Sequence, residues 1–273
     1  MPELPEVETI KNELLPYVLG RKIESLEIYW DRMVKELPVG EFQARVTGQT
    51  ITGLSRRGKY LFFALGDGEV LVMHMKMTGS LIINPLDDRF TRAVFYLDDG
   101  TELHFWDPRK FGKMWLDSDE KTINEKLGPE PLDEAFTPEV LAQRLANRKA
   151  PVKPVVLDQS VIAGIGNMYA DEALFDAKIH PLTPAGELSA EEIKRLHGSL
   201  IKVLQKALFL KGASVRNYIR PDGNIGTAHD EFNVAHGVGK YCPECGTAIE
   251  RIVVRNRGTY FCPKCQVLPD KAE

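Results

Sequence analysis

Tyr60-Leu-Phe-Phe-Ala-Leu-Gly-Asp-Gly-Glu-Val-Leu-Val-Met73 is the stretch on which the fold turns. Two runs of aromatic, β-branched and aliphatic residues flank Gly66-Asp-Gly68, whose residues tolerate the backbone angles of a tight turn, so the stretch predicts a β-hairpin. The signature recurs outward. Leu81-Ile-Ile83 and Ala93-Val-Phe-Tyr-Leu97 predict further strands, with Asp98-Asp-Gly100 as a second turn. Lys22 to about Leu116 therefore predicts several short strands, a sandwich or barrel. Upstream, residues 3–18 place Val7, Ile10, Leu14 and Leu15 on one face of a helix that Gly20 ends. Downstream, 117–135 is polar and carries Gly128, Pro129 and Pro131, the composition of a linker. From Thr137 to about Leu210 the period turns helical, with Thr137-Pro138 and Ser189-Ala-Glu-Glu192 as helix starts. No internal repeat appears. The expected class is α+β and multidomain.

The 273 residues allow one large domain or two to three small ones, and 43% hydrophobic with 27% charged content suits an ordinary globular chain. No apolar run approaches the roughly 20 residues that cross a bilayer, and the acidic N-terminus lacks a signal-peptide pattern, so a cytoplasmic protein is expected. The net charge of −4 argues against a nucleic-acid binder. The distribution softens that: Lys206 to Cys265 holds nine basic residues against five acidic ones, a basic end on an acidic protein.

The only cysteines form two knuckles, Cys242-Pro-Glu-Cys245 and Cys262-Pro-Lys-Cys265. Each turns tightly enough for two thiolates to face one ion, and together they predict one tetrahedral, structural Zn2+. Two disulfides are the alternative, disfavoured in a cytoplasmic setting. Between the knuckles, Ile249-Glu-Arg-Ile-Val-Val254 and Thr259-Tyr-Phe261 predict two strands, with Arg255-Asn-Arg-Gly258 as the turn that places Arg257 at an exposed tip.

The first eight residues, Met1-Pro-Glu-Leu-Pro-Glu-Val-Glu8, carry a second chemical possibility. Proline is a small penultimate residue, so Met1 is expected to be trimmed, leaving Pro2 with a free secondary amine. An α-amino group titrates near pH ~8, so part of it is neutral and nucleophilic at physiological pH. Such an amine can attack a sugar carbon and form an iminium, with Glu3 and Glu6 beside it to carry protons. The same residues equally suit an ordinary helix start, since Pro and acidic side chains favour the first turn.

Three β-region motifs add to this. Arg56-Arg-Gly-Lys59 puts cations on a turn before a strand; Met73-His-Met-Lys-Met-Thr-Gly79 sets His74 and Met77 at a strand end and its loop; Asp107-Pro-Arg-Lys-Phe-Gly112 packs Arg109 beside Phe111. His74 alone suits a satisfied core histidine, and Arg109 a solvent-facing turn. Exposed together, a cation and an aromatic wedge are what entry into a duplex requires. In the helical part, Gly164-Ile-Gly-Asn167 opens a helix whose free N–H groups suit phosphate, with Lys149 and Lys153 as nearby positive charge.

These motifs together resemble the bacterial formamidopyrimidine-DNA glycosylase family, from Pro2 to Cys265. The resemblance rests on Pro-Glu-Leu-Pro-Glu-Val-Glu, Arg-Gly-Lys59, Asp-Pro-Arg-Lys-Phe-Gly112, Leu-Gly-Pro-Glu-Pro-Leu132, Gly-Ile-Gly-Asn167 and the zinc hairpin, in order. It implies an N-terminal helix with a β-sandwich (1–116), a linker (117–135), a helix–two-turn–helix DNA-binding domain (136–235), a zinc-finger hairpin (236–266) and a tail (267–273). It implies a bifunctional DNA glycosylase and abasic-site lyase of base excision repair, acting on oxidised purines in damaged double-stranded DNA. Pro2 would attack C1′, Glu3 would handle protons with Glu6 in support, and Lys59 would donate a proton during β-elimination. Arg257 would hold a phosphate and serve δ-elimination. Met77, Arg109 and Phe111 would fill the gap left by the extruded base, and Lys149 and Asn167 would contact phosphates, with His74 and Arg92 also on the DNA-facing side. Ser214 to Thr227 would be the loop covering the extruded base. A monomer without membrane contact is implied, cytoplasmic and associated with the nucleoid through DNA. Phe90 stands where the family commonly has a phosphate-contacting histidine, so Arg89 or Arg92 would take over that contact. The related endonuclease VIII branch, which prefers oxidised pyrimidines, is disfavoured by the Leu-Pro-Glu-Val spelling and the Arg109/Phe111 loop. A non-catalytic binder on the same fold is disfavoured by Pro2, Glu3, Lys59 and Arg257, and an unrelated zinc-ribbon module leaves the N-terminus unexplained.

Overall fold

The computed structural model describes residues 1–85, 89–215 and 217–268. The chain forms two compact units: Met1–Glu125 with Leu208–His229, and Lys126–Ala207 with the chain from Asp230 onward. Thus Leu208–His229, which the sequence assigns to the 136–235 domain, packs with the N-terminal residues.

The first unit opens with α1 (Leu4–Val18). Its Val7, Ile10 and Leu14 are fully buried as expected, joined by Val18, while Leu15, which the sequence puts on the same face, is only half-buried. Two four-stranded antiparallel sheets follow. One, in the order β2-β3-β4-β8, uses β2 (Ile51–Arg57), β3 (Tyr60–Leu65), β4 (Val70–His74) and β8 (Lys113–Asp117). The other, β1-β6-β7-β5, uses β1 (Ile23–Ile28), β6 (Thr91–Leu97), β7 (Glu102–Trp106) and β5 (Ser80–Ile83). The hairpin expected over Tyr60–Met73 forms, with Leu61 opposite Met73, Phe63 opposite Leu71 and Gly68 at φ 92°. Side chains of both sheets and of α1 share one core, including Phe63, Leu71, Phe95, Phe105 and Ile10. This is a sandwich with a helix sealing it. One short helix, α2 (Val39–Val46), interrupts the stretch expected to hold only strands; Phe42 and Val46 fill the core from it.

After α3 (Lys121–Asn124), the second unit holds α4 (Pro138–Leu145), α5 (Val152–Val156), α6 (Asn167–Asp176) and α7 (Ala190–Phe209), whose last two residues belong to the first unit. Thr137 caps α4 as expected, its hydroxyl accepting from Val140 N, and Ser189 pairs with Glu192 at the start of α7. The hairpin β9 (Glu250–Val254) and β10 (Arg257–Phe261) completes the unit. Its turn is tighter than Arg255–Gly258: only Arg255 and Asn256 lie outside the ladder, both at positive φ (44° and 62°), as a two-residue turn of the primed type demands. Arg257 is thus the first residue of β10, opposite Val254. Residues 269–273 of the expected tail lie outside the described residues.

Candidate active site and nucleic-acid interface

Pro2 is buried ahead of α1, and Glu3 is its N-cap. Glu6, at the third helical position, reaches back so that its Oε2 accepts from Glu3 N at 2.7 Å. Its Oε1 accepts from Ala213 N at 2.8 Å, so one buried carboxylate closes the helix start and holds the segment after Lys211. A Cβ on Gly212 would stand 2.8 Å from that oxygen, and Gly212 sits at φ 81°, so close approach and backbone angle both require glycine. The Tyr218 hydroxyl reaches the Glu6 carbonyl at 3.5 Å, and Arg220 grips Glu13 through Nε and Nη2.

The amino group of Met1 senses the same neighbourhood. Burial lowers its pKa from the ordinary 8.0; Lys59 and Arg109 push the same way, while Glu3 and Glu6 oppose them. The electrostatics therefore place Glu3, Glu6, Lys59 and Arg109 around the chain's start. Lys59 is buried at the β2–β3 turn, where Gly58 takes φ 57°. Arg56, in the same cationic motif, is drawn onto α1 by Glu8 at 2.6 Å.

His74 ends β4, buried, with Nδ1 accepting from Lys76 N at 2.9 Å and the ring edge-on to Tyr60 at 4.6 Å. Burial, with Lys76 and Lys59 adding repulsion, pushes its pKa down to about 3, so the ring is neutral at pH 7.

Beyond it, Met77 is 38% exposed and Phe111 45% exposed, with the Arg109 guanidinium 4.8 Å from the Phe111 ring centre. Each tip follows or borders a lysine in the left-handed region, Lys76 at φ 53° and Lys110 at φ 61°. Such a conformation costs a non-glycine residue about 1–2 kcal/mol, so packing must hold both loops in place.

The holder is Asp107, a residue that the sequence does not single out. One carboxylate oxygen accepts from the Thr78 hydroxyl and from Arg109 N at 3.2 Å; the other accepts from Gly112 N at 2.7 Å. One buried carboxylate thus fastens the Met77 loop to the Arg109–Phe111 loop. An Asp-Pro followed five residues later by Gly is the available signal, since Asp side chains commonly cap the amides of a following turn. Arg92 donates from Nε to the Asp107 carbonyl at 2.8 Å, and both Arg89 and Arg92 sit over the Phe90 ring.

In the second unit, Asn167 starts α6 behind Gly164 at φ 86°. Its Nδ2 donates to the Gly258 carbonyl at 3.0 Å. Lys149 is exposed on the loop after α4, and Arg257 is exposed at the hairpin tip. Lys153 departs from the expected phosphate-side cation. It is fully buried, with Nζ 2.7 Å from Asp171, 2.8 Å from the Thr259 hydroxyl and 3.0 Å from the Gly258 carbonyl. Burial pushes the Asp171 carboxyl up to about 7 against the pull of Lys153, while Asp171 also accepts from Tyr260 N. Lys153 and Asn167 therefore converge on one hairpin carbonyl and fix where Arg257 begins its strand.

The four cysteine sulfurs all lie within 4.8 Å of one another, with Cys242–Cys265 at 3.7 Å and Cys245–Cys262 at 3.5 Å. Disulfides are excluded at these separations. Zn–S bonds near 2.3 Å at tetrahedral angles put sulfurs about 3.8 Å apart, so the cluster fits one structural Zn2+ with no coordination position left over. Phe175, Val234 and Ile249 pack beneath Cys242 and Cys262.

Three family models match in order: the formamidopyrimidine-DNA glycosylase N-terminal domain over residues 1–114, the H2TH domain of the same proteins over 127–218, and the zinc finger found in FPG and IleRS over 239–267. A formamidopyrimidine-DNA glycosylase from Chloroflexus aggregans is 47% identical over 274 residues, covering 98% of this chain and 99% of that protein.

The chain belongs to the formamidopyrimidine-DNA glycosylase family.

Solved structures of the family agree. A variant of the Lactococcus lactis Fpg protein, in complex with a Fapy-dG containing DNA, is 38% identical with a TM-score of 0.91, covering 97% of this chain and 100% of that one. The Thermus thermophilus MutM (Fpg) protein is 40% identical with a TM-score of 0.89, covering 98% and 100%. The family's three domains follow the order expected from the sequence, the zinc finger carries the four cysteines, and no helix among the described residues is long and apolar enough to cross a membrane.

Proposed function

We propose that this chain is a DNA glycosylase and abasic-site lyase of base excision repair, removing oxidised purines such as 8-oxoguanine and formamidopyrimidines from duplex DNA. The observation that carries the reading is the setting of the amino terminus. With Met1 in place, Glu3, Glu6, Lys59 and Arg109 all act electrostatically on the Met1 amine, which burial makes less basic, and removal of Met1 leaves the Pro2 nitrogen as the amine that faces these groups. A less basic amine is neutral, and so nucleophilic, at lower pH.

With Met1 removed, the Pro2 nitrogen forms a bond to C1′ of the extruded nucleotide as the glycosidic bond breaks, and the base leaves with the bond's electrons and a proton. Glu3 supplies and receives protons as the sugar ring opens to the iminium, since carboxyl protons serve C–N and C–O cleavage. Glu6 acts through placement, because its oxygens accept from Glu3 N and Ala213 N. Loss of the C2′ proton then expels the 3′ phosphate, with Lys59 as proton donor, and Arg257 holds a phosphate for δ-elimination on the 5′ side. Extruding a base costs a few kcal/mol, and insertion of Met77, Arg109 and Phe111 offsets it. Lys149 and Asn167 hold phosphates beside the Arg257 hairpin; Arg92, tied to the Asp107 carbonyl, and His74, neutral under the Lys76 amide, border the wedge. The zinc supplies a folded platform for that hairpin and no reacting group. The protein works as a monomer in the cytoplasm, on nucleoid DNA.

Borohydride trapping on a duplex with 8-oxoguanine opposite cytosine tests the reading, after mass measurement shows Met1 absent. A covalent adduct that disappears in Pro2→Gly is the expected result. Failure of the processed, zinc-loaded protein to form any adduct, there or on a duplex with an oxidised pyrimidine, refutes it.

A further inference from the structure

The chain has seven methionines, and the fold treats them unequally. Met33, Met73, Met75 and Met114 are at most 1% exposed, and Met168 is partly buried in the first turn of α6. Met1, at 42%, is lost when the terminus is processed. Met77, at 38%, is then the most exposed methionine of the chain. A thioether that water reaches is open to two-electron oxidants, whereas the buried ones are shielded.

The turn that carries Met77 keeps it outside. Met75 on one side and Thr78, Gly79 and Ser80 on the other are buried. The Met75 carbonyl accepts from Gly79 N at 3.0 Å, and the Thr78 hydroxyl is bonded to Asp107. A Cβ on Gly79 would stand 2.6 Å from the Met75 carbonyl and 3.1 Å from the Phe105 ring, so the turn is closed tightly over the core. Met75 and Phe105 already fill that core. With both shoulders anchored and the space behind them taken, the Met77 side chain stays in solvent until something is stacked against it. Its unoxidised thioether is soft and apolar, which suits contact with base faces. A sulfoxide at the same atom carries a strong acceptor, and the faces of stacked bases offer it no donor.

We propose that Met77 is a reversible oxidation site, at which a peroxide converts the thioether to a sulfoxide and so blunts the wedge. The sulfur lone pair takes one peroxide oxygen as the O–O bond breaks; sulfur is oxidised by two electrons, and the other oxygen leaves as water. A methionine sulfoxide reductase reverses the step, with two thiols becoming a disulfide and the sulfoxide oxygen leaving as water. The consequence for activity rests on the proposed function, which places Met77 in the gap left by an extruded base. Oxidation therefore weighs on substrates whose base must be extruded, and little on a site where the base is already gone.

The test treats processed, zinc-loaded wild type, Met77→Leu and Met168→Leu with a hydrogen peroxide series, each read against its own untreated sample. Peptide mass mapping follows the gain of one oxygen at every methionine, and a chromophoric chelator follows zinc. Met77 is expected to be oxidised first, before zinc is released. At that dose, the trapping rate of wild type at saturating 8-oxoguanine duplex is expected to fall roughly tenfold to a hundredfold, with trapping at an abasic site unchanged. Affinity for a duplex with a tetrahydrofuran abasic analogue, which requires no catalysis, is expected to fall as well. Methionine sulfoxide reductase is expected to restore both readouts; Met77→Leu is expected to resist the dose and Met168→Leu to remain as sensitive as wild type. Oxidation of another methionine ahead of Met77, full trapping and affinity by the Met77 sulfoxide, or a loss that tracks zinc release overturns the proposal. An untreated wild type that forms no adduct overturns the proposed function instead, while the mass order and the affinity still decide the oxidation site.

Discussion

Replacing Asp107 by Asn removes one charge and exchanges one acceptor for a donor, in a residue only 1% exposed. The carboxylate receives three donors: the Thr78 hydroxyl, Arg109 N and Gly112 N. Asn keeps one carbonyl oxygen, enough for the Thr78 and Arg109 side, and turns an NH2 toward the Gly112 N–H. Retreat is blocked, because a Cβ on Gly112 would already stand 2.5 Å from the Phe105 ring. One buried N–H is left without an acceptor, at about 1–3 kcal/mol, and the other two bonds lose charge assistance, so the variant is expected to lose about 2–4 kcal/mol. Thr78→Val, close in shape, removes a single bond and is expected to cost about 1–2 kcal/mol. Urea unfolding followed by tryptophan fluorescence reads this cleanly, because Trp30, Trp106 and Trp115 are the only tryptophans and all lie in the first unit. The midpoint is expected to fall with an unchanged slope. The double variant is expected to be less destabilised than the sum of the singles, because the two residues share one bond. In function, the variant is expected to trap less on a duplex whose base must be extruded against the wedge while still trapping at an abasic site. An Asp107→Asn protein as stable as wild type, with trapping on the 8-oxoguanine duplex intact, would refute the carboxylate as the fastener of the two loops.

Two further outcomes follow from the geometry. His74, with its pKa lowered to about 3 in the fold and near 6.5 when unfolded, takes up a proton on unfolding between those values. The stability it confers is therefore complete above pH 6.5 and lost progressively as pH falls toward 3, by up to roughly 5 kcal/mol; His74→Gln is expected to flatten the acid limb of the tryptophan-detected stability curve, and an unaltered limb refutes the assignment. In the second unit, Lys153→Met strands the Asp171 carboxylate and is expected to cost about 3–5 kcal/mol. Its signature is faster zinc release to a chromophoric chelator with the tryptophan transition of the first unit unmoved, and wild-type release kinetics would refute the anchor.

Much of the fold is legible in the sequence because it is local. The Tyr60–Met73 hairpin, the Thr137 cap and the paired knuckles each depend on residues within a few positions, where period and turn chemistry speak directly. What escapes depends on partners far along the chain. Nothing near Lys153 announces that its ammonium meets Thr259, and nothing near Glu6 announces Ala213. Lysines are mostly exposed, so the sequence makes Lys153 a surface cation; only the tertiary fold supplies the acid that lets it be buried. Asp107 shows the intermediate case, a turn-capping residue whose own loop is readable and whose bond to Thr78 is not. The α2 helix hides for another reason: eight residues give barely two turns, too few for a period to stand out among strands.

The Glu6 carboxylate joins two stretches of chain 207 residues apart. A fragment ending at residue 116, cut where the sequence marks a boundary, would contain all of the sandwich strands but the last residue of β8 and yet lack Ala213, Tyr218 and Arg220. Its first helix would begin with a buried acid missing its Ala213 main-chain donor and would carry Glu13 without Arg220. Dissection by sequence would thus yield a piece that looks whole in outline and is unfinished at its amino end, and a fair minimal version of this unit needs the 208–229 segment stitched back on.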